Sequence, residues 1–167
     1  MRYADDFVVL CRTEAEANEA HTFSQGHLAA LGLTLSAEKT KITRFAQGFQ
    51  FLGFRFNSRY VTMREKSVEK FKAKIRTLTT RSHNFDARVV VKVNQLVRGV
   101  ANYFATSFSS VSALFEGLDG WLRMRLRCMK VKTKCRSSNY KLRTKHLRKM
   151  GFIFLNDLNP RVIVDTS

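Results

Sequence analysis

The sequence predicts an α+β fold, in which antiparallel strands with one helix precede an α-helical domain. Three observations predict it. Apolar residues fall in short strand-like runs before residue 64, apart from one helical stretch, and at helical spacing after it. Charge divides at the same place: residues 1–62 hold seven basic and six acidic side chains, whereas residues 63–167 hold 23 and seven. A single proline and eight glycines in 167 residues, with 44% apolar content, describe a chain with a real core, not a low-complexity one. Two regions are expected, 1–64 and 65–167.

Taken in order, Phe7-Val8-Val9-Leu10-Cys11 is a continuous apolar run, the pattern of a strand buried on both faces. Thr13 with Glu16 three residues on makes a capping box, and the helix it opens runs to Leu31. Ala17, Ala20, Ser24, His27, Leu28 and Leu31 form its inward stripe, and Gly32 stops it. Two strands, 40–45 and 49–56, flank Ala46-Gln47-Gly48 as a hairpin, with a third short strand at Tyr60–Met63 across the Asn57-Ser58 turn. A helix from residue 65 carries Val68, Phe71, Ile75 and Leu78 on one stripe, with Lys70, Lys72, Lys74 and Arg76 largely off it. A second helix, about 86–106, buries Val89, Val93, Leu96, Val97, Val100 and Phe104. The third, about 109–129, uses Val111, Leu114, Phe115, Leu118, Trp121 and Leu122. Lys130–Ser138 reads as a basic loop, a short helix over about 139–150 ends at Gly151, and an apolar tail follows in Phe152-Ile153-Phe154-Leu155.

A net charge of +17 implies a polyanionic partner, nucleic acid before an anionic membrane surface. No apolar run approaches the length of a membrane span, so no membrane is expected. Cys11, Cys128 and Cys135 fit neither a disulfide framework nor a zinc site, which reads as free thiols in a reducing cytoplasm.

Tyr3-Ala4-Asp5-Asp6 lies directly before the first apolar run. Adjacent carboxylates beside apolar strands repel each other, and a divalent cation with oxygen ligands, magnesium, relieves that repulsion. Neighbouring strand residues point to opposite faces, so both aspartates serve one metal only at a hairpin apex. Alone, such a pair reads as a solvated turn.

It stands in company. Tyr3-Ala4-Asp5-Asp6-Phe7, then Gly32-Leu33-Thr34-Leu35 with Glu38-Lys39-Thr40-Lys41, then Phe51-Leu52-Gly53-Phe54, follow in an order and spacing that resemble the final palm motifs of reverse transcriptases. Val97–Phe104 and Leu118-Asp119-Gly120-Trp121-Leu122 resemble the thumb, or maturase-specific domain, of the enzymes encoded by group II introns. The resemblance implies an RNA-directed DNA polymerase, a nucleotidyltransferase, with intron RNA, RNA template and DNA primer as partners. It further implies that Asp5 binds catalytic Mg2+, that Asp6 supports the site, and that Tyr3 and Ala4 lie beside the primer terminus and incoming nucleotide. Lys39 would approach the nucleotide's phosphates; outside this context it is a solvated turn lysine. Phe51, Leu52 and Gly53 would grip the primer through backbone, while the same segment also reads as an ordinary core hairpin. Fingers and the family's other palm aspartate are expected to be missing. This chain alone is then expected to be inactive as a polymerase, with the N-terminal polymerase half as a possible partner.

Residues 120–150 hold twelve basic side chains and no acidic one. Arg123, Arg127, Lys130, Lys132, Lys134, Arg136, Lys141, Arg143, Lys145 and Arg148 are the candidate RNA-binding residues, because a merely solvated surface mixes in glutamates. Two other readings stay open: a catalytically silent RNA-binding splicing factor, and an unrelated basic RNA-binding protein.

Overall fold

The computed structural model describes residues 2–3, 5–132 and 142–160. They form five α-helices, a two-stranded ribbon and a three-stranded antiparallel sheet, as an α+β chain should. The chain divides into two compact units, Met1–Gln47 and Gly48–Ser167.

In the first unit, β1 (Arg2–Tyr3) and β2 (Asp6–Phe7) pair antiparallel, Tyr3 opposite Asp6. The expected strand over 7–11 is cut to its first residue. Phe7, Val9 and Leu10 are 38%, 53% and 68% exposed, because no further strand among the described residues lies beside them to bury either face. Helix α1 (Glu14–Ala30) begins as its sequence asks: Thr13 Oγ1 accepts from Glu16 N–H, and the Glu16 carboxylate accepts from Arg12 N–H. It ends with Gly32 at φ +71°, Gly32 N–H donating to Ala29 and Leu33 N–H to Leu28, a Schellman close. The expected inward stripe is shallow. Ala17, Ala20, Ser24 and Leu28 are half-buried, His27 and Leu31 are exposed, and no residue of the helix is buried.

Residues 40–45 are not a strand. Their polar groups are taken locally: Gln47 N–H donates to Arg44 O, the Gln47 side-chain carbonyl accepts from Thr43 and Arg44, and Arg44 pairs with Glu14 at 2.6 Å. The hairpin forms one element later. β3 (Phe49–Phe51) and β4 (Phe54–Phe56) are joined by Leu52-Gly53, where φ is 47° and 80°. Positive φ at both positions of a two-residue connection marks the type I′ turn, whose twist matches that of the strands. The run 49–56 therefore folds back on itself, and Phe49 stacks on Phe56 across the pair at 4.9 Å. β5 (Val61–Met63) adds the third strand, as expected, through Asn57 N–H to Tyr60 O.

The three helices that follow match their apolar periods. α2 (Glu65–Leu78) buries Val68, Phe71 and Ile75; α3 (Ala87–Phe104), capped by Asp86 on Val89 N–H, buries Val93, Val97, Ala101 and Phe104. α4 (Ser112–Val131) buries Phe115, Leu118, Leu122, Leu126 and Met129. α5 is shorter than expected, Thr144–Lys149, and the Phe152–Leu155 tail returns into the core with Phe152, Phe154 and Leu155 buried. Asn94 fixes that return by donating to Gly151 O at 2.7 Å and accepting from Ile153 N–H at 3.1 Å.

The sheet belongs physically with these helices. Phe54 packs edge-on to Phe104 at 4.9 Å, Arg64 N–H donates to Gly53 O, and Ser110 N–H donates to Val61 O. The change of sequence period near residue 64 and the division between compact units at 47/48 are thus different boundaries.

Candidate nucleic-acid interface

Asp5 sits in the turn joining β1 to β2 and Asp6 begins β2, so both carboxylates are at one hairpin end, and both are exposed. Tyr3 stands opposite Asp6; Ala4 lies outside the described residues. Magnesium takes six oxygens, commonly one or two from carboxylates and the rest from water and substrate phosphates. The pair fits a share of such a shell. Among the described residues no group of three His, Cys, Asp or Glu is placed to hold an ion. Lys39 is exposed in a turn closed by its own N–H to Ser36 O, and among the described residues no ion pair joins it to Asp5 or Asp6.

At the Phe51-Leu52-Gly53 turn the backbone is already engaged. Leu52 O accepts from the Tyr103 hydroxyl at 2.8 Å, and Gly53 O accepts from Arg64 N–H at 2.9 Å. Phe51, Leu52 and Gly53 are half-buried, so the turn is held rigidly from the α3 side. Across the three strands, Gln50, Arg55 and Thr62 are in register on one face.

The basic tract divides into two kinds of residue. Several of its cations have partners within the protein. Arg125 donates to Thr79 Oγ1 at 3.1 Å and Thr79 O at 2.9 Å, closing the C-terminal end of α2. Arg127 Nε donates to Leu142 O at 2.8 Å; burial first, and then the charge of Arg123, hold its guanidinium below its ordinary pKa. Lys132, in the left-handed conformation that ends α4, donates to Arg81 O and to His83 O. Arg148 pairs with Asp157 at 2.6 Å, and the Arg123 and Arg148 guanidiniums both lie over the Phe154 ring, at 5.6 and 5.8 Å. Lys130 stands 5.2 Å over Phe85 and is exposed, as are Arg143, Lys145 and Lys149. Lys134, Arg136 and Lys141 lie outside the described residues.

A second basic surface was missed by sequence reasoning. On α3, Arg88, Lys92, Gln95, Gly99 and Asn102 recur at the helical period and are all exposed, directly opposite buried Val93, Val97 and Ala101. Arg98 flanks this strip, also exposed, and α3 contains no acidic residue. Among the described residues Arg88, Lys92 and Arg98 take part in no ion pair. The available signal was the polar side of the helix, overshadowed by the denser run of lysine and arginine further on.

No helix among the described residues is long and apolar enough to cross a membrane. Cys11 is free and exposed, Cys128 free and buried.

Compared with known families, residues 1–56 match the reverse transcriptase (RNA-dependent DNA polymerase) model. Residues 68–151 match the group II intron, maturase-specific domain. No curated protein matches the chain. The maturase match spans half of the sequence and covers α2 to α5, the elements that build the core and carry both basic surfaces. The chain belongs to the group II intron maturase-specific domain family, with a reverse-transcriptase segment ahead of that domain.

Proposed function

We propose that this chain binds intron RNA through its helical unit and contributes Asp5 and Asp6 to a magnesium-dependent, RNA-directed DNA polymerase site. The observation that carries this reading is the succession of a reverse-transcriptase match and a maturase match in one chain. The charge supports it: the acid-free outer strip on α3, and exposed Lys130, Arg143, Lys145 and Lys149 in a tract over 120–150 without acidic residues, offer cations that phosphates neutralise.

In this reading the hairpin end brings the Asp5 and Asp6 carboxylates to the primer terminus, with Tyr3 and Ala4 beside it. When bound, magnesium supplies the positive charge that activates the attacking hydroxyl and steadies the leaving phosphate oxygen. Lys39 meets the phosphates of the incoming nucleotide. Tyr103 and Arg64 fix the Leu52-Gly53 turn, and a rigid turn presents the primer strand at constant height. RNA template and DNA primer are the substrates, and a further carboxylate must join the aspartate pair to complete the ion's shell.

A second reading is favoured by one observation. Asp5 and Asp6 are exposed, with no third metal-binding side chain grouped with them among the described residues. That suits a chain that steadies intron RNA for splicing and is silent as a polymerase by itself.

Two assays on the full chain separate the readings. RNA binding by fluorescence anisotropy should be tight and fall steeply with salt, and primer extension on an RNA template should be absent unless the remaining polymerase segments are supplied. Activity restored in that way and abolished by Asp5→Asn, with RNA binding intact, supports the polymerase reading. Splicing assistance that Asp5→Asn leaves unchanged, with no restorable extension, supports the silent one. A chain that binds intron RNA no better at low salt than at high salt refutes both.

A further inference from the structure

Between the C-terminal end of α4 and α5 lies an open groove of about 500 Å³, lined by Lys130, Val131, Leu142, His146, Lys149 and Met150. We infer that this groove seats one unpaired nucleotide of a bound RNA; the inference rests on the RNA-binding reading above and adds to it a place and a chemistry.

The lining has two characters at once. Leu142 is buried and Val131 is half-buried, and Met150, 40% exposed, extends the apolar side to the mouth with a flexible thioether. Lys130 and Lys149 are exposed, and among the described residues the lining contains no carboxylate. A ligand that satisfies both parts carries a flat, largely apolar body and negative charge a few ångströms away. A nucleobase on its ribose phosphate is such a ligand. Inorganic phosphate leaves the apolar floor wet, and an apolar peptide brings no negative charge to the Lys130 and Lys149 ammonium groups. The volume is of the size that holds one small ligand, since such sites span roughly 300–1,000 Å³.

His146 adds direction. Its Nδ1 accepts Arg143 N–H at 3.2 Å, at the start of α5. In the neutral ring the proton then sits on Nε2, which remains a donor for a base or ribose oxygen. The ring itself also offers a face for stacking. Paired bases do not reach such a groove, because their edges and faces are already used within the helix. Unpaired ones are presented splayed out in bulges and loops.

The test uses the full chain and two RNA hairpins of equal length, one fully paired and one with a single bulged nucleotide. The bulged RNA should bind about fivefold tighter or more, the low end of what one stacked base contributes. His146→Ala should reduce that preference toward one while leaving the paired hairpin within about twofold. His146→Ala removes the bond at the start of α5, so Met150→Glu serves as the second variant. It places a carboxylate at the exposed mouth, keeps the backbone N–H bonds by which position 150 closes α5 on His146 O and Leu147 O, and should abolish the preference with the melting temperature within a few degrees. A 4-thiouridine at the bulge should crosslink to peptides containing residues 142–150. Equal binding of the two hairpins overturns the inference. So does a crosslink confined to other peptides, or competition by a free mononucleotide at the concentration at which the bulged RNA competes. Failure of both hairpins to bind would instead remove the RNA-binding reading beneath it.

Discussion

Asp119 Oδ1 accepts a hydrogen bond from Leu155 N–H at 2.8 Å, tying the middle of α4 to the tail of the chain, 36 residues on. Its other oxygen accepts from Asn156 N–H at 3.1 Å, so one carboxylate receives both amides at the start of the 3₁₀ turn Asn156–Leu158. The residue is 3% exposed. Replacement by alanine leaves a buried N–H with no acceptor, which costs about 1–3 kcal/mol. Asp119→Ala should lower the urea midpoint accordingly, with an unchanged dependence on denaturant. A variant as stable as the parent would mean that the tail finds other partners.

The same carboxylate gives stability a pH dependence of known sign. Burial, the largest influence, raises the Asp119 pKa above its ordinary 3.8, against the lowering effect of the two amides and of Arg123. The folded state therefore keeps the proton to higher pH than the unfolded chain does. This contribution to stability is full below the ordinary value and is lost as pH rises through the raised one. Asp119→Asn, which cannot titrate, should lack that decline. Unfolding of both proteins in urea between acidic and neutral pH checks it: their stability difference should shift in favour of the asparagine variant as pH rises. A constant difference would show the carboxylate to be unperturbed.

Gly48 opens β3 at φ +73°, and a Cβ built there would lie 2.8 Å from Phe56 O. Left-handed backbone and contact with a carbonyl of the neighbouring strand act together, so Gly48→Ala should cost about 1–3 kcal/mol. Gly99 is the control. A Cβ there meets nothing within 4 Å, and an alanine in mid-helix gains propensity, so Gly99→Ala should raise stability by about 0.5–1 kcal/mol. Thermal melts of the two variants should move in opposite directions.

These positions also show what was legible in the sequence. The three long helices of the second unit could be read because each carries an uninterrupted apolar stripe, and burial of that stripe decides the helix. The strands were harder. Phe49–Phe56 has apolar residues at five of its eight positions, a pattern that suits one long strand or a tight hairpin equally, and only the positive φ at Leu52 and Gly53 chooses. Residues 40–45 have strand-like composition, but a strand needs a neighbour, and here Thr43 and the Arg44 N–H bond to the Gln47 side chain instead. The aspartate motif and the basic tract were visible as residue types. That Arg125, Arg127 and Lys132 hold carbonyls of other segments was not, because those partners are 46, 15 and 49 residues away.

The sheet's place in the helical unit changes where a protease should cut. A boundary at the change of sequence period would expose residues 57–66, yet that stretch is bonded to Gly53 and Ser110 and buries Met63. Lys39, Lys41 and Arg44 are exposed in non-helical backbone within the first unit. Limited trypsin digestion should therefore give a resistant fragment whose new N-terminus lies between residues 40 and 45. First cleavage at Arg59 or Arg64 would show that the strands are not part of the cooperative unit.

Cations proposed to meet RNA are separable by experiment from cations that hold the fold. Arg125 is committed to the end of α2, so Arg125→Gln leaves Thr79 O and Arg76 O without their donor. Stability should fall by about 1.5–3 kcal/mol, the scale of a broken charged hydrogen bond, while the salt dependence of RNA binding stays as it was. Arg88, Lys92 and Arg98 sit on or beside the outer strip of α3, opposite the buried face. Changing all three to glutamine should leave the melting temperature within a few degrees, since exposed positions carry little stability. Each cation withdrawn from a phosphate should reduce the slope of log affinity against log salt by about 0.7 to 0.9. If all three meet phosphate, the slope therefore falls by about 2 to 3. Anisotropy titrations over a salt series, beside a thermal melt of each variant, give both quantities. A slope unchanged in the triple variant but flattened by Arg143→Gln, Lys145→Gln and Lys149→Gln would move the RNA path from α3 to α5. A flattened slope in Arg125→Gln would mean that its bonds to α2 open when RNA arrives.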